Sequence, residues 1–212
     1  MGMDKTSNPG NEDCHDQLQH ENNAMNNFEG LKPTEFAPDL EGLTANDFEY
    51  LHATEGLSRE AWEGLSVNER LEALQTLECK LAEIQGRDPV LVLYSETPGE
   101  NGHYDPETRT ITLNAEQLSN PRQRLELVDT IAHEGRHAYQ HYAIEHPGFH
   151  PDAREVEAWR ENWVHYRNGT KEGLLDYRLQ PIEADAWSYG HLVKDAFSFA
   201  DMDSRRRNTL NA

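Results

Sequence analysis

Two histidines four positions apart, with a glutamate directly after the first, constrain this chain more than any other feature. They stand in Ile131-Ala132-His133-Glu134-Gly135-Arg136-His137-Ala138-Tyr139-Gln140, a stretch that reads as helix. A helix turns about 100° per residue, so positions i and i+4 lie one above the other. His133 and His137 can therefore aim two imidazole nitrogens at one metal ion. Glu134 is placed to hold a water and take its proton. The bland alternative is a polar helix face carrying two solvated histidines. Composition alone produces such a pattern now and then in a chain with 11 histidines among 212 residues, so the surroundings must decide.

The surroundings divide the chain in two. Residues 1–50 hold few aliphatic side chains and many Asn, Asp, Glu, Gln and Pro, a composition too polar to build a core. They are expected to form an acidic, disordered leader in which Phe28, Leu31, Phe36, Leu40, Leu43 and Phe48 dock locally at most. Residues 51–212 carry normal apolar periodicity and are expected to form one domain. The net charge of -20 argues against nucleic acid, whose phosphates need a basic surface, and against an anionic membrane surface. Two cysteines, Cys14 and Cys79, are too few for a disulfide framework or a cysteine-based zinc site. No apolar run is long enough to cross a membrane, and no basic-then-apolar secretory signal is visible. The protein is thus expected in the cytoplasm, or secreted by a specialised route without a cleaved signal. Met1-Gly2-Met3-Asp4-Lys5-Thr6 fits the N-myristoylation pattern, although a start-codon accident is the simpler explanation.

Along the domain, Ser58 opens a short helix through Trp62. Ser66-Val67-Asn68-Glu69 forms a capping box, and the helix after it puts Leu71, Leu74, Leu77, Leu81 and Ile84 on one face until Gly86 stops it. Val90 to Tyr94 reads as a buried strand. Asn101-Gly102 and Asp105-Pro106-Glu107-Thr108 mark turns, and Thr110 to Asn114 alternates as a half-buried strand. A small sheet with a hairpin thus precedes the histidine helix, and the hairpin near Thr110–Asn114 offers an edge for an extended peptide. The histidine helix opens at Asn120-Pro121 and ends at His146-Pro147-Gly148. Gly135 costs about 1 kcal/mol against alanine inside a helix, which points to something packed against the backbone there. Asp129, one turn before His133, is placed either to orient that ring or simply to face solvent. Val156, Trp159, Trp163 and Tyr166 repeat at helical spacing as core, and Asn168-Gly169 ends their helix. A last helix opens at Gln180-Pro181 and runs through Phe197 before a charged tail, Asp201 to Arg207.

Catalytic zinc takes three protein ligands and keeps one position open. His141 lies two turns beyond His133, about 12 Å along the axis, and cannot share its metal. The metzincin pattern fails because Gln140 and Ala143 stand where it needs glycine and histidine. His146, His150 and Asp152 remain open as third ligands. Glu183, near the start of a helix that can face the first, is the best placed. Its bland role is to stabilise that helix's N-terminus.

His133-Glu134-x-x-His137 with a downstream Glu183 resembles the gluzincin branch of zinc metallopeptidases. Gly102-His103-Tyr104 with Ile111-Thr112-Leu113-Asn114, the histidine stretch through Gln140, and Tyr177-Arg178-Leu179-Gln180-Pro181-Ile182-Glu183-Ala184-Asp185-Ala186 are similar to zincin-like domains of bacterial secreted effectors and polymorphic toxins. The resemblance covers roughly residues 58–195 and leaves the leader aside. Trp187 stands where thermolysin-like enzymes have aspartate, so their outer contacts are not expected here. The resemblance implies an α+β, zincin-like fold, mostly helical with its small sheet before the histidine helix. It implies a zinc endopeptidase acting on a protein or peptide substrate. His133, His137 and Glu183 would bind Zn2+, and Glu134 would act as general base. Such a mechanism also needs an oxyanion stabiliser, for which Tyr177, Tyr189, Arg178 and His191 are the candidates. Two rivals share the motif: a zincin scaffold that only binds a partner, and a zinc hydrolase acting on a non-peptide amide.

Overall fold

The computed structural model describes residues 43–96, 101–167 and 173–210. The packed body reaches back past the expected boundary at residue 51. Thr44 accepts from the Asp47 backbone N–H at 3.2 Å, and the Asp47 carboxylate accepts from the Thr44 N–H at 2.7 Å. This reciprocal cap opens α1 (Ala45–His52), which buries Leu51. Leu43 also packs on the core and Phe48 stands in α1; residues 1–42, with Gly2, Phe28, Leu31, Phe36 and Leu40, lie outside the described residues.

The capping signals in the sequence act where they stand. Ser58 starts α2 (Arg59–Gly64), which buries Trp62. The Ser66/Glu69 box starts α3 (Val67–Gln85), and Gly86 ends it in the left-handed conformation at φ 68°, which glycine adopts without a Cβ penalty. Leu74, Leu77 and Leu81 of α3 are fully buried.

Three strands follow: β1 (Leu91–Ser95), β2 (Gly102–Asp105) and β3 (Thr110–Asn114). Their order is β1-β3-β2, with β1 parallel and β2 antiparallel to β3. Two expectations change here. The apolar run ending at Tyr94 is an edge strand covered on one face only, so Val92 is buried while Leu91, Leu93 and Tyr94 are exposed. And β3 is the paired centre of the sheet, so the free edge of the hairpin belongs to β2. Gly102 opens this edge strand rather than a turn. The Asp105 carboxylate accepts from the Glu107 and Thr108 N–H groups and shapes the turn into β3.

After α4 (Ala115–Ser119), Asn120 caps a single 3-10 turn, Pro121–Gln123, that leads into α5 (Arg124–Glu145). This is the central helix: every residue from Leu127 to Gln140 is buried. Its first half packs with α3, the sheet and Val193 and Phe197 in one apolar core. Its second half packs Tyr139 and Ala143 against Val156, Trp159 and Ile182 in another. Asp152 caps α6 (Ala153–Val164). That helix ends before Tyr166, and Asn168-Gly169, expected to end it, lies outside the described residues. A short α7 (Leu174–Arg178) precedes α8 (Pro181–Leu210). The charged stretch from Asp201, read as a tail, continues this helix, with Asp201 tied to the buried Arg124 guanidinium. The result is an α+β architecture. No helix among the described residues is long and apolar enough to cross a membrane.

Candidate metal centre

The two apolar cores leave a polar seam between α5 and α8, and the three expected ligands meet in it. His133 Nε2 and His137 Nε2 are 3.2 Å apart. Glu183 places Oε2 3.5 Å from the first and Oε1 3.5 Å from the second. All three residues are buried, and one donor atom from each lies within 4.8 Å of the others. A tetrahedral ion with bonds of about 2.0–2.1 Å needs ligand atoms roughly 3.3 Å apart, so these spacings fit one. Two imidazoles and a carboxylate form a donor set suited to a borderline cation such as zinc. Glu183 Oε2 and His133 Nδ1 are both buried without a hydrogen-bond partner. A buried carboxylate oxygen without a partner is costly, and a bound cation removes that cost.

The electrostatics agree with a pair already sharing charge. Burial acts to raise the Glu183 pKa, yet the His133 and His137 imidazoles 3.5 Å away, the His137 charge and the Tyr166 hydroxyl hold it far below the usual carboxylate range. Burial acts to lower the His137 pKa, yet its contact with Glu183 and the charges of Glu134 and Glu183 hold it above the ordinary imidazole value.

Glu134 points the other way from the core, into a cleft. Its Oε2 accepts from the Tyr104 backbone N–H at 2.8 Å, and its Oε1 is 4.0 Å from His133 Nε2. The Tyr104 amide is on the free edge of β2, and β2 comes this close because of Gly102. A Cβ there would sit 2.7 Å from Thr130 Cγ2 on α5 and 3.0 Å from the Thr112 carbonyl oxygen. One side of the cleft is a cavity of about 370 Å³ among Tyr104, Pro106, Trp163, Tyr166, Tyr177 and Ile182. The other, of about 260 Å³, lies among Asn101, Glu126, Asp129, Thr130 and Trp187. Glu134 and Tyr177 line both.

The remaining expected residues separate clearly. The Tyr177 hydroxyl faces Glu183 and Tyr166, and burial first, then the neighbouring charges, raises its pKa above the ordinary phenol value. Tyr189 is elsewhere: its ring packs on the apolar core with the Arg136 guanidinium 5.2 Å from its centroid, and it lines neither half of the cleft. Arg178 stacks on Trp187 at 4.5 Å, and Trp187 packs edge-on against His133. His191 lies 4.0 Å from Asp129. Asp129 does not orient His133, whose Nδ1 has no partner; its Oδ2 faces Lys194 at 3.5 Å. The neighbour that Gly135 accommodates is the Arg87 guanidinium, paired at 2.7 Å with the buried Glu78. The rival third ligands are occupied elsewhere. His146 bonds the Tyr142 carbonyl, His150 bridges Tyr139 and Glu155, and Asp152 caps α6.

Two site residues escape sequence reasoning. Tyr166, read as core, donates its hydroxyl to Glu183 Oε1 at 2.7 Å; the helical spacing that groups it with Trp163 stops at Val164. Gln140 receives the His137 ring at 2.9 Å from Nδ1. Its position three residues after His137, one turn along the same face, was the available signal. Comparison with protein-family models, curated proteins and solved structures gives no match.

Proposed function

We propose that this chain is a zinc-dependent endopeptidase with a zincin-like architecture, acting on a protein or peptide substrate. The observation that carries the reading is the position of Glu134. A carboxylate lies beside a buried His/His/Glu group, in the floor of an open cleft, next to the free edge of a strand. A solvated polar helix face, the bland alternative, would have exposed both histidines; they are 7% and 8% exposed.

His133, His137 and Glu183 would hold the zinc, which when bound supplies a Lewis acid for the scissile carbonyl and lowers the pKa of water. The chain's own residues do the rest. Glu134, steadied by the Tyr104 amide, takes the proton of the attacking water and delivers it to the leaving amine nitrogen. The Tyr177 hydroxyl, kept protonated by its surroundings, donates to the developing oxyanion, while Tyr166 holds the Glu183 carboxylate. The cleft runs beside the β2 edge that holds Glu134, where an extended backbone would dock, and this favours a peptide over other amides. The likeness to effector and toxin zincins rests on the sequence stretches alone and points to delivery into a target cell or compartment.

Elemental analysis of the purified chain tests the reading first. One zinc per chain, sharply reduced in His137→Ala and Glu183→Ala, together with cleavage of a peptide library that stops in Glu134→Gln, supports it. No zinc after reconstitution overturns it. Zinc without any cleavage moves the reading to a partner-binding scaffold.

A further inference from the structure

The two helices that carry the ligands are stitched together by three residues outside the ligand set. Gln140, fully buried, sets its Oε1 2.9 Å from His137 Nδ1. Its amide nitrogen donates across the seam to the Ile182 carbonyl at 2.9 Å and to Asp185 Oδ2 at 2.6 Å. Asp185 in turn accepts two bonds from Arg136, from Nε at 2.8 Å and Nη2 at 2.9 Å. Arg136 directly precedes His137, and Asp185 stands two positions after Glu183.

We infer that Gln140 is a positioning residue for the metal, and that Asp185 and Arg136 fix which way its side-chain amide points. The inference rests on the metal reading above. The chemistry leaves Gln140 little freedom. Its NH2 group has two acceptors, Ile182 O and Asp185 Oδ2, so its Oε1 must face His137. An oxygen there accepts only from an Nδ1–H, and this tautomer leaves the Nε2 lone pair free for a cation. Flipping the amide would set NH2 against His137 and the carbonyl against two acceptors. Asp185, held by two Arg136 bonds, prevents that flip. His133 has no such support, since its Nδ1 is unpartnered. The two histidines are therefore unequal: the Nδ1 of one is held by an outer partner, while the other has no such partner on Nδ1 and packs against Trp187 and the His137 ring.

The test compares the full chain with Gln140→Met and Gln140→Ala, which remove the acceptor, and Gln140→Glu, which keeps it. In Gln140→Glu, one carboxyl oxygen still accepts from His137 while a protonated second oxygen donates to Asp185. Zinc affinity is read by competition with a chromogenic chelator, the visible spectrum is recorded after cobalt(II) substitution, and the unfolding midpoint of each metal-free protein is measured. The expected result is a zinc affinity 10- to 100-fold lower, roughly the effect of losing such an outer partner, in Met and Ala. Their cobalt spectra should change, and Glu should recover most of the affinity. Parent-like affinity and spectra in Met or Ala overturn the inference and leave the metal site standing. Equal loss in all three variants, tracking their unfolding midpoints, also overturns it, because Gln140 would then serve packing only. A parent that binds no zinc removes the metal reading and this inference together.

Discussion

Glu134 keeps one carboxylate oxygen on the Tyr104 amide and presents the other near His133, which separates its orientation from its chemistry. Glutamine at this position preserves size and can still accept from that amide, but it cannot take a proton. Glu134→Gln should therefore lower kcat/KM by about 10²–10⁴-fold with the zinc content unchanged, read by steady-state kinetics beside elemental analysis; retained turnover would refute the base assignment. Tyr177 and Tyr189 give a paired test of a different kind. Tyr177→Phe removes a hydroxyl that faces Glu183 in the cleft and should cost roughly 10²–10³-fold in kcat, with KM little changed. Tyr189→Phe alters a ring packed over Arg136 behind the ligands and should leave turnover unchanged. Equal losses in the two variants would show that neither hydroxyl acts directly.

Between elements, the site depends on how closely α8 and β2 approach α5, and both approaches need a glycine. At Gly190 a Cβ would sit 2.7 Å from Asp129 Oδ1, 3.1 Å from the Asp129 carbonyl oxygen and 3.3 Å from His133 Cβ. Gly190→Ala should push α8 off α5 and destabilise the fold by about 1–3 kcal/mol. Because α8 carries Glu183, zinc affinity should fall as well; denaturant unfolding and chelator competition on the same preparation measure both. A parent-like zinc affinity would mean that α8 tolerates the displacement. This level also marks how far the sequence could be read. Local signals were legible: the Ser66/Glu69 cap, the Asp105 turn and the His133/His137 spacing each depend on residues within one or two turns. Contacts across the chain were not. Nothing in the spacing around Gln140 announces that Asp185 orients its amide, and nothing near Asp129 shows that Gly190 occupies the space beside it. Tyr166 was misread for a related reason: a helical repeat can be counted past the residue where the helix stops. The buried reading of β1 failed because an apolar run does not reveal which strand has a neighbour on only one side.

At the scale of the whole molecule, two apolar cores hold a charged seam, and the acidity of the chain makes pH the natural probe of that seam. The metal-free protein is the clean case, since Glu183 and His137 then answer only to each other and to their neighbours. Glu183 has its pKa depressed in the fold, chiefly by the neighbouring His133 and His137 imidazoles, whose effect outweighs its burial. The stability it contributes is fully present above the unfolded carboxylate value near ~4.3 and is lost as pH falls through the folded value. His137 has its pKa raised by Glu183 and Glu134 against burial. Its contribution is fully present below the unfolded imidazole value near ~6.5 and is lost as pH rises through the folded value. Glu78 and Asp129 run the other way, because burial raises both, so their linkage partly masks that of Glu183 in the parent alone. Subtracting Glu183→Gln removes this background. The stability difference between chelator-treated parent and Glu183→Gln, from urea unfolding across pH, should form a plateau between about 4.3 and 6.5 and decline on both sides. A difference independent of pH would mean that Glu183 acts in the fold as a hydrogen-bonding group without charge. A decline on the acid side alone would assign the charge partner to a group other than His137.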